Sequence, residues 1–175
     1  MKLLVIGNPG NRRVTGFAEA WTRLAGSPAE TLSWTDALSS DSMLSSRLDG
    51  VDVLRIESPG ENWEVEKLLL ARGSRQAELE GSAERISAKA ALGMHEDRGR
   101  IRLQRQWFLG WEHALREIAA AVKMSGVWAP SPPLLIRGLF DKHWCRGQCE
   151  LAGVPVPQLV GVLAGGLDEV LAAMK

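Results

Sequence analysis

The stretch KLLVIGNPGNRR, residues 2–13, decides the fold. It begins with a short apolar run, which the glycines and the proline of residues 7–10 end in a turn. Apolar side chains then recur at helical spacing over residues 11–25, at Val14, Phe17, Ala18, Trp21 and Leu24. A buried strand, a glycine-containing turn and a helix in this order are typical of the first unit of a parallel α/β sheet.

The same order returns in residues 51–73. The β-branched, apolar run VDVLRI, residues 51–56, is followed by the loop ESPGE, residues 57–61. An amphipathic helix is expected to begin at Asn62 and to end near Gly73. Weaker strand signals lie at 30–34 and 127–129. This alternation predicts an α/β fold of three layers, a mostly parallel, Rossmann-like sheet of about four strands flanked by helices.

The remaining segments are mostly helical in pattern. We expect a polar helix over 74–92, an exposed loop over 93–106 and a strong amphipathic helix from Trp107 to Met124. Near the end of the chain we expect helices over 131–139 and 141–152, a strand over 158–163 and a helix over 166–175.

Composition excludes several classes of function. Lys+Arg and Asp+Glu both number 21, so the formal net charge is zero, and neither nucleic acid nor an anionic membrane is an expected partner. No run approaches the roughly 18 apolar residues of a membrane span, and no signal peptide is evident, so a cytoplasmic protein is expected. Cys145 and Cys149 are expected to be free thiols, and no metal site is predicted.

The two loops that follow the first apolar run and the run at 51–56 hold the candidate ligand-binding residues. Ligands of doubly wound sheets bind outside the carboxyl ends of the strands. In the first loop, Arg12 or Arg13 can pair with a carboxylate or a phosphate; a plain turn with solvated arginines is equally compatible. In the second loop, a carboxylate such as Glu57 or Glu61 can hold an amine or act as a base. The alternative there is helix capping by Ser58 or Asn62.

The segment 140–157 carries a family resemblance. Phe140-Asp141-Lys142 opens a predicted helix, and GVPVP follows at 153–157. This pattern resembles the junction of ATP-grasp enzymes, where the N-terminal (pre-ATP-grasp) domain passes into the ATP-binding part. The layout of the whole chain is similar to that domain, but only residues 140–157 are specific.

The resemblance implies a function and its residues. ATP-grasp enzymes use ATP and Mg²⁺ to activate a carboxylate, which an amine or similar nucleophile then attacks. It implies that Lys142 approaches the ATP phosphates. Asp141 is expected to cap the start of the helix. It also implies that a small-molecule carboxylate binds at the strand-end loops, with Asn8, Asn11, Arg12, Arg13, Glu57, Ser58 and Glu61 as the candidate residues.

The resemblance also predicts the domain organisation. Residues 1–152 would form the N-terminal domain, and residues 153–175 a linker with the first elements of an ATP-binding domain. The ATP- and Mg²⁺-binding subdomains have no counterpart in the sequence, so we expect a truncated domain, inactive alone and without a tightly bound cofactor.

A second hypothesis needs no catalysis. The chain can be a non-catalytic α/β module that binds a small ligand or a partner, and a homodimer is compatible with it. A nucleotide-binding oxidoreductase is disfavoured because no G-x-G-x-x-G occurs, and a serine hydrolase because no G-x-S-x-G occurs.

Overall fold

The computed structural model describes residues 1–39, 41–97 and 102–157. Contacts divide the chain into a larger unit, residues 1–137, and a smaller one, residues 138–175. The predicted boundary at 152/153 stays a prediction, and the strand and helix predicted beyond residue 157 lie outside the described residues. No helix in the described ranges has the length and apolar composition needed to cross a membrane.

Strands and helices alternate through the first half of the larger unit, which then continues as helices. In chain order the elements of both units are β1 (Leu3–Gly7), α1 (Arg12–Ala25), β2 (Glu30–Ser33), α2 (Trp34–Ser39), α3 (Asp41–Arg47), β3 (Val53–Ile56), α4 (Trp63–Leu79), α5 (Ala88–Leu92), α6 (Gln104–Ser125), α7 (Pro133–Gly138) and α8 (Lys142–Leu151).

The sheet is parallel, as predicted, with the order β2-β1-β3. The predicted count of about four strands is not reached in the described residues, because the segment at 127–129 contributes a single bridge. Trp128 pairs with Val53 there, with Trp128 N donating to Asp52 O at 3.1 Å and Leu54 N donating to Trp128 O at 2.9 Å. Gly126 ends α6 just before this segment and Pro130 follows it, which leaves no room for a longer strand.

Helices cover both faces of β1 because its side chains alternate between them. Leu3 and Val5 pack with Val14 of α1 on one face. On the other face, Leu4 and Ile6 belong to a larger core cluster that α2, α4 and α6 share, and the buried rings of Trp34 and Trp111 meet edge to face there with centroids 5.0 Å apart.

The helix α4 corrects one prediction. It was expected to end near Gly73, but it continues to Leu79, so that the predicted helix 74–92 is divided between α4, a turn and α5. The reason is a close helix crossing. A Cβ on Gly73 would lie 1.9 Å from Gln106 O, and a Cβ on Gly110 would lie 1.9 Å from Leu69 O. Both glycines therefore serve the approach of α4 to α6 rather than the end of a helix.

The smaller unit contains α8 and the extended residues that follow it. Asp141 caps α8, because its Oδ1 accepts from His143 N at 2.9 Å and Trp144 N at 3.0 Å, in agreement with the capping role expected for it. At the other end the chain turns at Gly153, where φ is 69°. Val154 N then donates to Cys149 O at 2.9 Å, and Arg146 hydrogen-bonds Pro157 O.

Candidate functional site

The two candidate loops lie side by side at the carboxyl ends of neighbouring strands. Residues 8–11 leave β1 and residues 57–62 leave β3, and the two strands are paired in parallel from Leu3↔Val53 to Ile6↔Ile56. The connection from β1 leads to β2 on one side, whereas β3 lies on the other. The connections from β1 and β3 therefore leave on opposite sides of the sheet. At such a place α/β sheets form a crevice between the adjacent loops. We call residues 7–13 and 57–62 the strand-end crevice.

Asn8 fastens the two loops together. Its side chain is buried, and its Nδ2 donates to Pro59 O at 3.0 Å and to Gly60 O at 2.9 Å. Its Oδ1 accepts from Asn62 Nδ2 at 3.4 Å. Because these bonds use both ends of the amide, Asn8 shapes the crevice, and it has little capacity left for a ligand.

Gly7 allows the backbones to approach. A Cβ at this position would lie 2.7 Å from Val14 Cγ2 and 3.2 Å from Glu57 Cβ. A larger residue would therefore push β1 away from α1 and from the second loop.

Glu57 is a carboxylate held in place on its protein side. Its side chain is only 10% exposed, and Oε1 accepts from Arg55 Nε and Nη2, both at 2.6 Å. Its backbone is fixed as well, because Glu57 N donates to Ile6 O at 2.9 Å and Glu57 O accepts from Trp34 Nε1 at 3.1 Å. None of the described residues donates a hydrogen bond to Oε2, which leaves this oxygen for another donor.

Ser58 and Glu61 shape the far side of the same loop. Ser58 Oγ accepts from Gly60 N at 3.3 Å, which closes a tight turn. Glu61 has a φ of 68°, in the left-handed region that side chains other than those of Gly and Asn rarely adopt. Its Oε2 accepts from Asn11 Nδ2 at 2.9 Å, a bond that crosses the crevice.

Both helices that leave the crevice are capped by asparagine. Asn11 Oδ1 accepts from Arg13 N at 2.9 Å at the start of α1. Asn62 Oδ1 accepts from Glu64 N at 3.0 Å and from Val65 N at 3.4 Å at the start of α4. The capping considered for Asn62 is thus present. Ser58 makes a turn instead, so the alternatives for the second loop are combined rather than exclusive.

Arg12 and Arg13 place two positive charges at the surface of the crevice. Both side chains are exposed, and Arg13 Nε makes only a long contact of 3.5 Å with the neutral Asn11 Oδ1. Among residues 1–39, 41–97 and 102–157, no carboxylate pairs with either guanidinium. The first loop therefore presents positive charge, and the second presents the carboxylate of Glu61, whereas that of Glu57 is paired with Arg55.

Glu66 lies one turn into α4 from the crevice. Burial raises the pKa of the Glu66 carboxyl above its usual range, and a hydrogen bond with Trp107 acts in the opposite direction. The neighbouring Trp63 is fixed by its Nε1, which donates to Met94 O at 3.2 Å. This flank of α4 thus carries a carboxyl group that stays protonated to higher pH than an exposed one.

Three contributors to the crevice were not predicted. They are Arg55, Phe17 and Trp34. Arg55 pairs with Glu57, and its Cζ lies 3.8 Å from the centroid of the Phe17 ring. Trp34 donates a hydrogen bond to the main-chain oxygen of Glu57. One signal was available, because Arg55 is, with Asp52, one of the two charged residues in the otherwise apolar run at 51–56. Nothing in the sequence indicated Trp34, since its contact depends on the pairing of β1 with its two neighbours.

A different hollow lies at the opposite edge of the sheet. Met1, Lys2 and residues 27–30 line it at the amino ends of β1 and β2. No helix N-terminus faces ligands at that edge of a parallel sheet, and bound ligands are found at the other edge. We therefore favour the strand-end crevice.

Lys142 belongs to the smaller unit. It is the first residue of α8 and is exposed, and no carboxylate within the described ranges pairs with it. No group of three or more His, Cys, Asp or Glu side chains that could hold a metal occurs in those ranges. Cys145 and Cys149 are free thiols, and the Cys145 Sγ lies 3.4 Å from Leu139 O.

Comparisons with known proteins identify no relative. No protein-family model, no curated protein and no solved structure matches the chain. The resemblance at residues 140–157 therefore stays a prediction that rests on those residues.

Proposed function

We propose that this chain is the substrate-side, N-terminal part of a cytoplasmic ATP-grasp-like ligase, with the strand-end crevice as the site for a small-molecule carboxylate. The observation that carries the proposal is the meeting of the two predicted loops. Asn8 and Asn11 of the first loop bond Pro59, Gly60 and Glu61 of the second. The proposal includes the predicted fourth strand and Rossmann-like arrangement, of which the described residues contain the bridge at Trp128.

The charges of the crevice suit a carboxylate. The guanidinium groups of Arg12 and Arg13 are exposed and lack an acidic partner among the described residues. Arginine binds carboxylates through two parallel hydrogen bonds, and the start of α1 adds a partial positive charge. Glu57 Oε2 provides an acceptor that can hold an amine or remove its proton.

The start of α8 supports the nucleotide side of the proposal. Lys142 is exposed at the first position of a ten-residue helix, next to the capping residue Asp141. A lysine binds phosphate as a point charge, and the exposure of Lys142 leaves its ammonium group accessible to one. The remaining phosphate ligands and the Mg²⁺ ligands would come from an ATP-binding part that the resemblance implies.

In the proposed reaction ATP would activate the carboxylate as an acyl phosphate. The residues of this chain would bind the carboxylate through Arg12 or Arg13 and keep the loops in register through Asn8. Glu57 would orient the nucleophile through Oε2, because Arg55 and Trp34 fix the position of its side chain and its backbone. Such positioning supplies a large share of the rate of two-substrate reactions.

Calorimetric titration with Mg·ATP tests the nucleotide side. It should be done on this chain and on a form continued along its own reading frame, each with Lys142→Ala and with Lys89→Ala as a control. Lys89 is another exposed lysine near a helix start, without an ion pair in the described ranges. We expect binding by the continued form alone, weakened about tenfold or more by Lys142→Ala and unchanged by Lys89→Ala.

The opposite result favours the second hypothesis. If neither form binds Mg·ATP, the pattern at 140–157 is only architectural, and a non-catalytic binding or interaction module is the better explanation. Equal losses from both lysine substitutions would show a nonspecific charge effect and would also contradict the role of Lys142.

A further inference from the structure

We infer that the ligand of the strand-end crevice is zwitterionic, with an ammonium group bound at Glu61 and a carboxylate bound at Arg12 or Arg13. This inference rests on the proposed function and narrows its substrate class. The inference starts from Glu61, the one crevice residue other than glycine whose backbone lies in the left-handed region. Glu61 has a φ of 68°. A glycine, such as the preceding Gly60, takes this conformation without strain, but here a glutamate takes it.

A glutamate at this position is unfavourable for the backbone. A residue with a Cβ loses stability in the left-handed region, and glycine or asparagine is the usual occupant. Residues with such backbone strain are concentrated at ligand-binding sites, where the side chain contributes to binding rather than to stability. The hydrogen bond from Asn11 to Glu61 offers little compensation, because Glu61 is exposed and its partner is neutral.

The charges of the crevice are separated by loop. Glu57 is neutralised by Arg55, whereas the carboxylate of Glu61 accepts, among the described residues, only from the amide of Asn11. Across the crevice, the guanidinium groups of Arg12 and Arg13 have no carboxylate partner in the described ranges. Asn11 lies between the two sides and contacts both Arg13 and Glu61. A molecule with one charge of each sign complements this arrangement, and a plain carboxylate would use only half of it.

Thermal unfolding separates a binding role of Glu61 from a structural one. If Glu61 is present for a ligand, Glu61→Gly removes the strain and raises the Tm by about 2 °C or more, and Glu61→Gln leaves the Tm unchanged. If Glu61 instead holds the loops together through Asn11, Glu61→Gly lowers the Tm because it removes the acceptor, and the inference is overturned.

Amide-resolved NMR titration of the full chain tests the ligand class. The probes are glycine, β-alanine and 4-aminobutyrate, which vary the distance between the two charges, with propionate and propylammonium as single-charge controls. We expect the best amino acid to bind about tenfold more tightly than propionate, with shifts at the amides of residues 8–13 and 57–62, and Glu61→Gln to abolish that preference.

Each other outcome of the titration has a distinct meaning. If propionate binds as tightly as the amino acids, the zwitterion inference fails while the proposed carboxylate site stands. If propylammonium binds as tightly, the arginines have no part and the inference also fails. If no probe shifts the crevice amides, the inference fails, and the Mg·ATP titration of the continued chain then decides independently whether the proposed function fails with it.

Discussion

The contact between α4 and α6 and the strand-end crevice are built in opposite ways. At the helix contact the side chains are absent or buried: Gly73 and Gly110 bring the backbones together, and Gln106 is fully buried with both ends of its amide hydrogen-bonded. At the crevice, polar side chains bridge two loops and leave charges exposed, and Glu61 keeps a strained backbone. The first region is shaped for stability and the second gives up some stability, which is the pattern expected of a scaffold and its binding site.

The largest effect is expected at the helix crossing. Gly73→Ala places a Cβ 1.9 Å from Gln106 O and 2.8 Å from Gly110 N, so one helix must shift. We expect a loss of about 3 kcal/mol in the free energy of unfolding, although alanine favours helix by about 1 kcal/mol. Urea unfolding measures it. The control is Gly16→Ala in α1, where a Cβ would meet no atom within 4 Å apart from its own stretch of helix backbone, and a small gain is expected. Equal stability of the two variants would contradict the close crossing.

The next effect is expected at Gln106, which holds the segment after α4. Its Nε2 donates to Leu70 O at 2.6 Å and Ile86 O at 3.0 Å, and its Oε1 accepts from Ile86 N at 2.8 Å. Gln106→Leu leaves these groups without their partner, and we expect a loss of about 2 kcal/mol and faster hydrogen exchange at residues 82–94. Gln104→Leu, at an exposed position of the same turn, should change neither. Unchanged hydrogen exchange at residues 82–94 in the Gln106 variant would contradict the proposed role of Gln106 in holding this segment.

A smaller effect is expected at Asn8, which joins the crevice loops. Asn8→Ala removes the donors to Pro59 O and Gly60 O, so we expect a loss of about 1–2 kcal/mol and weaker binding of any crevice ligand. Ser58→Ala, which removes only an exposed turn bond, should cost less than about 0.5 kcal/mol. Chemical denaturation of both variants checks this. A larger loss from Ser58→Ala would mean that the turn, and not Asn8, holds the crevice together.

The smallest effect is expected at Glu66 and depends on pH. Its folded-state pKa is raised by burial, so the folded protein binds the proton more tightly than the unfolded chain, and stability falls as pH rises from the usual pKa through the raised one. Glu66→Gln should remove this decline and be slightly more stable than the original protein at neutral pH. Thermal unfolding at pH 4 and pH 7 measures the difference. Glu78→Gln, at an exposed position of α4, should keep the original pH dependence.

The fold was largely predictable from local patterns. The apolar runs at 2–6 and 51–56 became β1 and β3 of a parallel sheet, and the periodicity from Trp107 indicated α6. Glycines gave mixed signals. Gly26 and Gly126 do end helices, with φ of 68° and 70°, but Gly73 lies inside one because the surface of α6 requires it. Sequence alone does not distinguish a terminating glycine from a packing one, since the difference lies in a partner far along the chain.

The crevice was predictable in place but not in detail. The rule that ligands bind at the carboxyl ends of parallel strands brought residues 8–13 and 57–62 together. The role of each of these residues, however, depends on its contacts in the folded protein. Asn8 turned out to be buried, Glu57 to be held by Arg55, and Glu61 to be strained. Hydrogen bonds between residues about fifty positions apart, such as those from Asn8 and Asn11, leave no periodic trace in a sequence.

The central claim is that the strand-end crevice binds a small molecule through its carboxylate group. Its most direct test is an amide-resolved NMR titration of the chain with a library of small carboxylates. We predict that the shifted amides lie in residues 7–13 and 57–62, and that Arg12→Ala combined with Arg13→Ala removes the shifts. Shifts confined to the opposite edge, near Met1, Lys2 and residues 27–30, or no shifts at all, would contradict the claim.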